Sequence, residues 1–287
     1  MQLRQSLMRL FISLIFITCL MACANTTRPG AVGINRSQFM VVSSADVNKL
    51  SAADFEEQNK KAKQKNVLIT SGPTYDRLKN VADRLIPQTV VFRDDTRTWD
   101  WQLSLIQSPT LNASCAPGGK ITFYTGIIEQ LNLNDAEIAA IMGHEMAHAL
   151  REHGRERMSE AMTQSALTNV ALAVAGANYA TGINAANQFA QYALVLPNSR
   201  QNESEADAIG LELAARAGYD PHAAITVWEK MLKATQGKNP PEFLSTHPSG
   251  ETRIEQLNAL IPAVETLYLS ANKASKTQQG KTSVKTN

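Results

Sequence analysis

Cysteine is scarce in this chain of 287 residues, which contains only Cys19, Cys23 and Cys115. If a leader is removed before Cys23 and that cysteine is modified, Cys115 remains alone and no internal disulfide can form. The fold must therefore be stabilised by its hydrophobic core. A purely structural zinc site is also disfavoured, because such sites usually include pairs of cysteines.

A large excess of one charge is also missing, since 28 basic and 26 acidic residues leave a net charge of +2. The middle of the chain has no concentrated basic patch, so we expect no nucleic acid as a partner. A hydrophobic content of 44% is enough for one sizeable core in a chain of this length. We therefore expect one folded domain with additional segments at its ends.

The apolar run at residues 10–20 is shorter than the roughly 20 residues that a membrane-spanning helix needs. It follows two arginines and precedes small residues, which is the pattern of a secretory signal. Residues 20–23 resemble a bacterial lipobox, so we predict a signal peptide over 1–22, lipidation of Cys23 and a lipid anchor in the membrane. Ala24 after the cysteine favours the outer membrane, and we predict a lipoprotein of the bacterial periplasm.

Beyond this leader, composition and periodicity divide the chain into three parts. Residues 23–65 are polar and predict a linker with short helices, whereas residues 66–269 have the apolar periodicities of a folded domain. Residues 270–287 are rich in Lys, Ser, Thr and Gln and predict a disordered tail. Strands are expected near residues 99–105 and 121–124, between several helices, which predicts a mainly α-helical α+β fold.

The clearest helix starts at Asn134, which forms a capping box with the glutamate three residues later, and it continues to about Leu150. It contains the pattern H-E-x-x-H, formed by His144, Glu145 and His148. The two histidines lie one turn apart on one face and can reach a single metal ion. Glu145 can contact a water on that metal without binding the metal. The pattern predicts a zinc site with Glu145 as general base.

Catalytic zinc takes three protein ligands and keeps one position open for water, so a third ligand is needed. The metzincin pattern is excluded, because Arg151 and Gly154 stand where it requires glycine and histidine. His153 lies nearly opposite His144 on a helical wheel. We interpret His153 as a packing or hydrogen-bonding residue.

An acidic cluster on a later predicted helix, residues 203–217, contains better candidates. Glu203 and Asp207 lie four residues apart on one face. Glu203 can therefore reach the metal while Asp207 accepts a hydrogen bond from a ligand histidine. Glu205 faces away in this arrangement. Such a cluster alone would indicate an acidic pair on a solvated surface, but the unfilled zinc position favours Glu203 as the third ligand.

These motifs together resemble metallopeptidase family 48, in particular its periplasmic lipoprotein branch that includes BepA and LoiP. The resemblance covers about residues 75–260. It includes the lipobox, the motif at 144–148, the acidic residues at 203–207, and Ser-Thr-His-Pro at 245–248 followed by Arg253. The lack of membrane spans distinguishes this chain from the integral-membrane members of the family.

The resemblance implies a zincin-like catalytic domain with one zinc ion per chain and a small β-sheet beside the active-site helix. An edge strand within residues 112–125 would bind an extended polypeptide through its main chain. Cys115 falls in this strand, and we interpret it as a small apolar residue. His247 would occupy the fourth zinc position and keep the enzyme inactive until its loop moves.

We therefore expect a zinc-dependent endopeptidase of the bacterial envelope that cleaves misfolded or misassembled proteins by a zinc-bound water, with Glu145 as base. Candidate donors to the oxyanion are Tyr192, Tyr219, His247 and Arg253, and the sequence does not choose among them. Arg253 could instead be structural. The alternative is a periplasmic chaperone or assembly factor with a mostly closed zinc site, in which case envelope assembly machinery would be a further partner.

Overall fold

The computed structural model describes residues 23–174, 197–235, 242–247 and 252–283. Helices predominate over short strands, which confirms the α+β fold class. In chain order the elements are β1 (Cys23–Ala24), β2 (Gln38–Phe39), α1 (Ser44–Gln64), β3 (Leu68–Ile69), α2 (Pro73–Leu85), β4 (Gln102–Ile106), β5 (Ala113–Ala116), β6 (Lys120–Tyr124), α3 (Thr125–Gln130), α4 (Asp135–Leu150), α5 (His153–Val174), α6 (Arg200–Arg216), α7 (Ala223–Thr235), α8 (Glu242–Thr246) and α9 (Thr252–Ser283). Two 3-10 helices, Ile86–Val91 and Asp94–Thr98, join α2 to β4.

A four-stranded sheet has the order β3-β4-β6-β5. The central strands β4 and β6 are parallel, and each outer strand is antiparallel to its neighbour. β4 and β6 correspond to the two strands that the sequence predicts. β5 lies at an edge and packs beside α4, so the predicted small sheet beside the active-site helix is confirmed.

Helix α4 is the centre of the fold and contacts α2, α6, α7 and β5. It begins with the predicted capping box: the Asn134 side chain accepts from the Glu137 backbone, and the Glu137 side chain accepts from the Asn134 backbone. From Glu137 onward nearly every residue is buried. A well-started helix that is buried on all sides gives the side chains of its last two turns fixed positions.

Helix α6 begins earlier than the predicted residue 203. Ser199 is its N-cap, and the Ser199 side chain accepts a hydrogen bond from the backbone of Asn202. Glu203 therefore lies in the first turn of α6, where the positive end of the helix dipole stabilises a carboxylate.

The segment 23–65 differs from the predicted linker with short helices, because its second half forms the 21-residue helix α1. The helix buries Val47 and Phe55. It also forms polar contacts with the sheet, including a 2.5 Å hydrogen bond between Ser104 Oγ and Asn59 Oδ1. Polar composition alone does not reveal such a helix, since its stability depends on tertiary packing such as that of Val47 against Met158 of the distant helix α5.

At the other end of the chain, α9 continues to Ser283, whereas composition predicts disorder from residue 270. Leu257 and Val264 are buried, and Asn272 Nδ2 donates to Gly218 O at 3.3 Å. These contacts stabilise the first part of α9, and its later Lys, Gln and Ala residues favour helix. None of the described helices combines the length and the apolar character needed to cross a membrane.

Candidate metal centre

Four buried donor groups meet where α4, α6 and the end of α8 approach each other. His144 and His148 belong to α4, Glu203 belongs to α6, and His247 directly follows α8. One ligand atom of each residue lies within 4.8 Å of the ligand atoms of the other three. None of the four is more than 8% exposed, so these polar groups must find partners away from bulk water.

The distances among the donor atoms suit a single metal ion. His144 Nε2 lies 3.1 Å from His148 Nε2 and 3.3 Å from His247 Nδ1. The Glu203 carboxylate oxygens lie 3.5 Å from His144 Nε2 and 3.4 Å from His148 Nε2. In a tetrahedral site with metal–nitrogen distances of about 2.0–2.1 Å, neighbouring donors are about 3.3 Å apart. The residues therefore fit a metal ion in both donor type and spacing.

A close crossing of α4 and α6 brings these donors together. A Cβ atom added at Gly210 would lie 2.6 Å from the backbone nitrogen of His144, and one added at Gly143 would lie 2.8 Å from the carbonyl oxygen of Gly210. Only glycine at these two positions allows the helix backbones to approach so closely. The crossing places Glu203 and Asp207, in the first half of α6, beside the histidines of α4.

The charges around the donors favour a cation. Burial opposes ionisation of Glu203, but His247, His144 and His148 hold the pKa of its carboxyl well below the usual range. Burial also opposes the charged form of His144, yet hydrogen bonds that its ring donates to Asp207 and Glu203 raise its pKa to about 9. Burial lowers the pKa of His148 well below its usual value, so this imidazole is neutral, which is the form that binds metals.

Glu145 lies in the same buried space, and its Oε1 has no hydrogen-bond partner among the described residues. This oxygen is 3.4 Å from His247 Nε2. Burial raises the pKa of the Glu145 carboxyl, toward the range that suits a general base near neutral pH. A cavity beside it is lined by His148, His247, and Ser114 and Cys115 of β5. Because this oxygen accepts no hydrogen bond from the described residues, it is available to a small molecule in that cavity.

Asp207 and Arg253 support the donors from behind. Asp207 Oδ1 is 3.0 Å from His144 Nδ1, the ring nitrogen that faces away from His148. The Nε and NH2 groups of Arg253 donate to Asp207, and its NH1 lies 2.7 Å from Glu203 Oε2. Its guanidinium stacks 3.7 Å from the centroid of the Trp228 ring. Because two carboxylates and a ring engage Arg253, the geometry favours its structural role over that of an oxyanion donor.

The other sequence candidates have different surroundings. Tyr219 packs against Arg84, whose guanidinium lies 4.0 Å from the ring centroid, and it does not line the cavity beside the donors. Tyr192 lies outside the described residues. His247 lines the cavity. Burial raises the pKa of the Cys115 thiol, which agrees with its interpretation as a small apolar residue.

His153 and Glu205, which the sequence analysis sets apart from the donors, also belong to the site. His153 Nδ1 lies 2.8 Å from His148 Nδ1, and His153 Nε2 lies 3.2 Å from Glu205 Oε2. A helical wheel fails here because α4 ends at Leu150 and Glu152 adopts a left-handed conformation with φ 51°. The chain turns back, so His153 contacts His148 as a hydrogen-bonding residue. Glu205 faces away from the donors, as expected, but it binds the residue behind them.

Comparisons with known proteins agree with this arrangement. The model of peptidase family M48 matches residues 74–261, well over half of the chain. The mitochondrial metalloendopeptidase OMA1 of Saccharomyces cerevisiae is 37% identical over 175 residues, or 58% of this chain and 49% of the relative. OMA1 of Schizosaccharomyces pombe is 34% identical over 218 residues, or 74% of this chain and 63% of the relative. The beta-barrel assembly-enhancing protease of Escherichia coli is 31% identical over 161 residues, or 52% of this chain and 32% of the relative. The chain therefore matches between 32% and 63% of the length of these relatives.

The predicted location in the bacterial periplasm, anchored at the outer membrane, is contradicted by these relatives, several of which are mitochondrial. The prediction depends on residues 1–22, which lie outside the described residues. Basic residues next to an apolar stretch without acidic residues occur in more than one kind of targeting segment, so this pattern does not define a compartment. Cys23 is exposed at the start of β1, and its lipidation stays an untested prediction.

Proposed function

The chain belongs to peptidase family M48, and from this membership we propose that it is a zinc-dependent endopeptidase. His144, His148 and Glu203 would hold the zinc ion, and Glu145 would be the general base. The main support is that the buried nitrogen and oxygen donors surround a single point beside a Glu145 oxygen that accepts no hydrogen bond from the described residues. Two imidazoles and one carboxylate are a ligand set typical of catalytic zinc.

The proposed chemistry is hydrolysis of a peptide bond. A zinc ion, when bound, makes water more acidic and polarises the scissile carbonyl. Glu145 would accept a proton from the attacking water and then donate it to the leaving amine. Its place next to His144 on α4 fixes the carboxylate at the edge of the donor group. Asp207 would accept the Nδ1 proton of His144, which leaves Nε2 free to bind the metal.

Extended polypeptides are the substrates that this arrangement favours. β5 lies at an edge of the sheet, and its residues Ser114 and Cys115 line the cavity beside Glu145. A substrate strand that pairs with β5 through main-chain hydrogen bonds would bring its own peptide bonds to the cavity. Pairing of this kind does not depend on side chains, so sequence preference would arise within the cavity.

His247 would regulate the same site. Its Nδ1 lies 3.0 Å from Glu203 Oε1 and 3.3 Å from His144 Nε2. Four protein donors around one zinc ion leave no position for water, so hydrolysis would require His247 to move. Its ring stacks on Phe243, with the centroids 4.5 Å apart, which stabilises the closed arrangement. A substrate or partner that binds the open form more tightly would activate the enzyme.

A chaperone or assembly factor with a mostly closed zinc site is the second candidate function. The position of His247 among the donors favours it, because a permanently closed centre would be structural. The Glu145 oxygen that accepts no hydrogen bond favours the peptidase, since a structural centre needs no buried carboxylate with an unsatisfied acceptor.

Hydrolysis of casein by the wild type and by Glu145→Gln separates the two functions. The variant removes the base but leaves the metal ligands, so we expect about one zinc per chain and a loss of hydrolysis of about 10²- to 10⁴-fold. Glu229→Gln, the same change at an exposed position of α7, is the matched control. A chelator should abolish wild-type hydrolysis, and added zinc should restore it.

His247→Ala should also be compared with the double variant His247→Ala/Glu145→Gln, because His247 would lower the basal rate of casein hydrolysis. Wild-type hydrolysis by Glu145→Gln would contradict the proposed mechanism. If neither the wild type nor His247→Ala hydrolyses casein, but both suppress aggregation of an unfolded protein, the chaperone function is favoured.

A further inference from the structure

His148 has a partner on the side that faces away from the donor group. Its Nε2 points toward the other donors, whereas its Nδ1 lies 2.8 Å from His153 Nδ1. His153 has no exposed surface, and its Nε2 lies 3.2 Å from Glu205 Oε2. A second imidazole thus stands between a metal-site histidine and a carboxylate.

One arrangement of ring protons satisfies this chain of contacts when His148 Nε2 binds a metal. The His148 proton is then on Nδ1 and is donated to His153 Nδ1. The His153 proton is on Nε2 and is donated to Glu205. Each nitrogen has one role, and both rings are neutral. The contacts therefore fix both the orientation of the His148 ring and the position of its proton.

Two arginines hold Glu205 in place. Arg151, which is completely buried, donates from Nε to Glu205 Oε2 at 2.9 Å. Arg36 donates from Nε to Glu205 Oε1 at 2.5 Å and from NH2 to Glu205 Oε2 at 3.3 Å. We call His153, Glu205, Arg151 and Arg36 the back-side network.

Arg36 connects the network to a segment that precedes the region matched by the family model, residues 74–261. The backbone oxygen of Arg36 accepts a hydrogen bond from Arg151 NH2 at 2.9 Å. Gln38, which begins β2, donates to the backbone oxygen of Arg151 at 2.7 Å and to Glu156 at 2.9 Å. The segment from β1 to β2 is thus held against the helix break that follows the H-E-x-x-H motif.

We propose that His153 and Glu205 are positioning residues that orient His148 for metal binding, and that Arg36 extends this support to the N-terminal segment. The inference rests on the proposed metal centre of His144, His148 and Glu203. Partners of ligand histidines fix the tautomer and the ring orientation, and removing them typically lowers metal affinity about 10- to 100-fold.

Zinc affinity of the full chain, measured by competition with a chromophoric chelator, tests the proposal. His153→Leu removes both hydrogen bonds at similar volume and should weaken zinc binding about 10- to 100-fold. His153→Gln should retain most of the affinity, because an amide can accept from His148 and donate to Glu205. His222→Leu is the matched control, since His222 also pairs with a carboxylate, Asp220, but is 59% exposed.

The thermal midpoint of each zinc-free variant separates positioning from stability. A merely structural role would lower the midpoint of His153→Leu and leave the zinc affinity of the folded protein unchanged, which would overturn the proposal. Arg36→Met should cause a smaller loss of affinity than His153→Leu, because Arg151 still holds Glu205. An Arg36→Met variant with wild-type affinity would overturn the part of the proposal that concerns the N-terminal segment.

If His153→Leu does not fold, Glu205→Gln decides the question. It retains the shape and the acceptor oxygen but loses the charge that holds both arginines. We expect weaker zinc binding, and wild-type affinity would overturn the proposal. A wild type that binds no zinc would overturn the proposed function as well, whereas normal zinc binding that no network variant changes would overturn this inference alone.

Discussion

The two ring nitrogens of each motif histidine have opposite surroundings. At the front, the Nε2 atoms of His144 and His148 lie 3.1 Å apart beside Glu145, whose Oε1 accepts no hydrogen bond from the described residues. At the back, His144 Nδ1 meets Asp207 at 3.0 Å and His148 Nδ1 meets His153 at 2.8 Å. The Nδ1 atoms at the back have partners within the protein, whereas the Nε2 atoms at the front would bind the proposed metal ion. In each ring, the contact of Nδ1 therefore fixes the orientation, while Nε2 is directed toward the proposed metal ion.

The largest effect is expected at the front, from removal of a metal donor. His144→Ala, His148→Ala and Glu203→Ala should each lose the bound zinc, because only two of the three proposed catalytic ligands then remain and His247 is the donor that leaves when the site opens. Elemental analysis after dialysis measures the zinc content, with Glu229→Ala as an exposed control. Full zinc occupancy in Glu203→Ala together with its loss in Asp207→Ala would reverse the roles of these two carboxylates.

A change at the back of His144 should have a smaller effect. Asp207→Asn keeps an acceptor near Nδ1 but removes the charge that also binds Arg253, so we expect zinc affinity to fall by about 10- to 100-fold without being lost. Competition with a chelator measures this change. Complete loss of zinc would place Asp207 among the front donors, and unchanged affinity would remove its proposed role.

The smallest effect is expected from His247, which lies at the front but would restrain the chemistry. His247→Ala should retain zinc and raise the basal rate of casein hydrolysis severalfold, because it opens one metal position. The measurement is the initial rate at equal zinc content, with His222→Ala as the exposed control. An unchanged rate would exclude the switch, whereas a lost rate would make His247 a donor to the oxyanion.

Local sequence patterns predict much of the front. The capping box at Asn134 and the spacing of the motif predict α4 with nearly its observed bounds, because these signals depend on neighbours within one or two turns. Glu203 can be found because zinc chemistry requires a third ligand and the acidic cluster has helical spacing. From the sequence, the place of His247 among the donors is predicted only by the family resemblance, because its motif is distant from the H-E-x-x-H motif along the chain.

The back is less predictable because it depends on tertiary contacts. The left-handed turn at Glu152 ends the periodicity on which a helical wheel relies, so His153 is misplaced. The predicted ligand set indicates that α4 and α6 meet, but not that their backbones approach as closely as they do at Gly143 and Gly210. Arg36 lies far from the motif in sequence, and its pairing with Glu205 becomes visible only once β1 and β2 are placed.

Anomalous X-ray scattering at the zinc absorption edge, from crystals of the full chain as purified, would locate the proposed zinc ion. We expect one strong peak about 2.0–2.2 Å from His144 Nε2, His148 Nε2 and a carboxylate oxygen of Glu203. The distance from that peak to His247 Nδ1 then reports whether the site is closed. The absence of a peak at this point, or a peak bound by Asp207 in place of Glu203, would exclude the proposed zinc site of His144, His148 and Glu203.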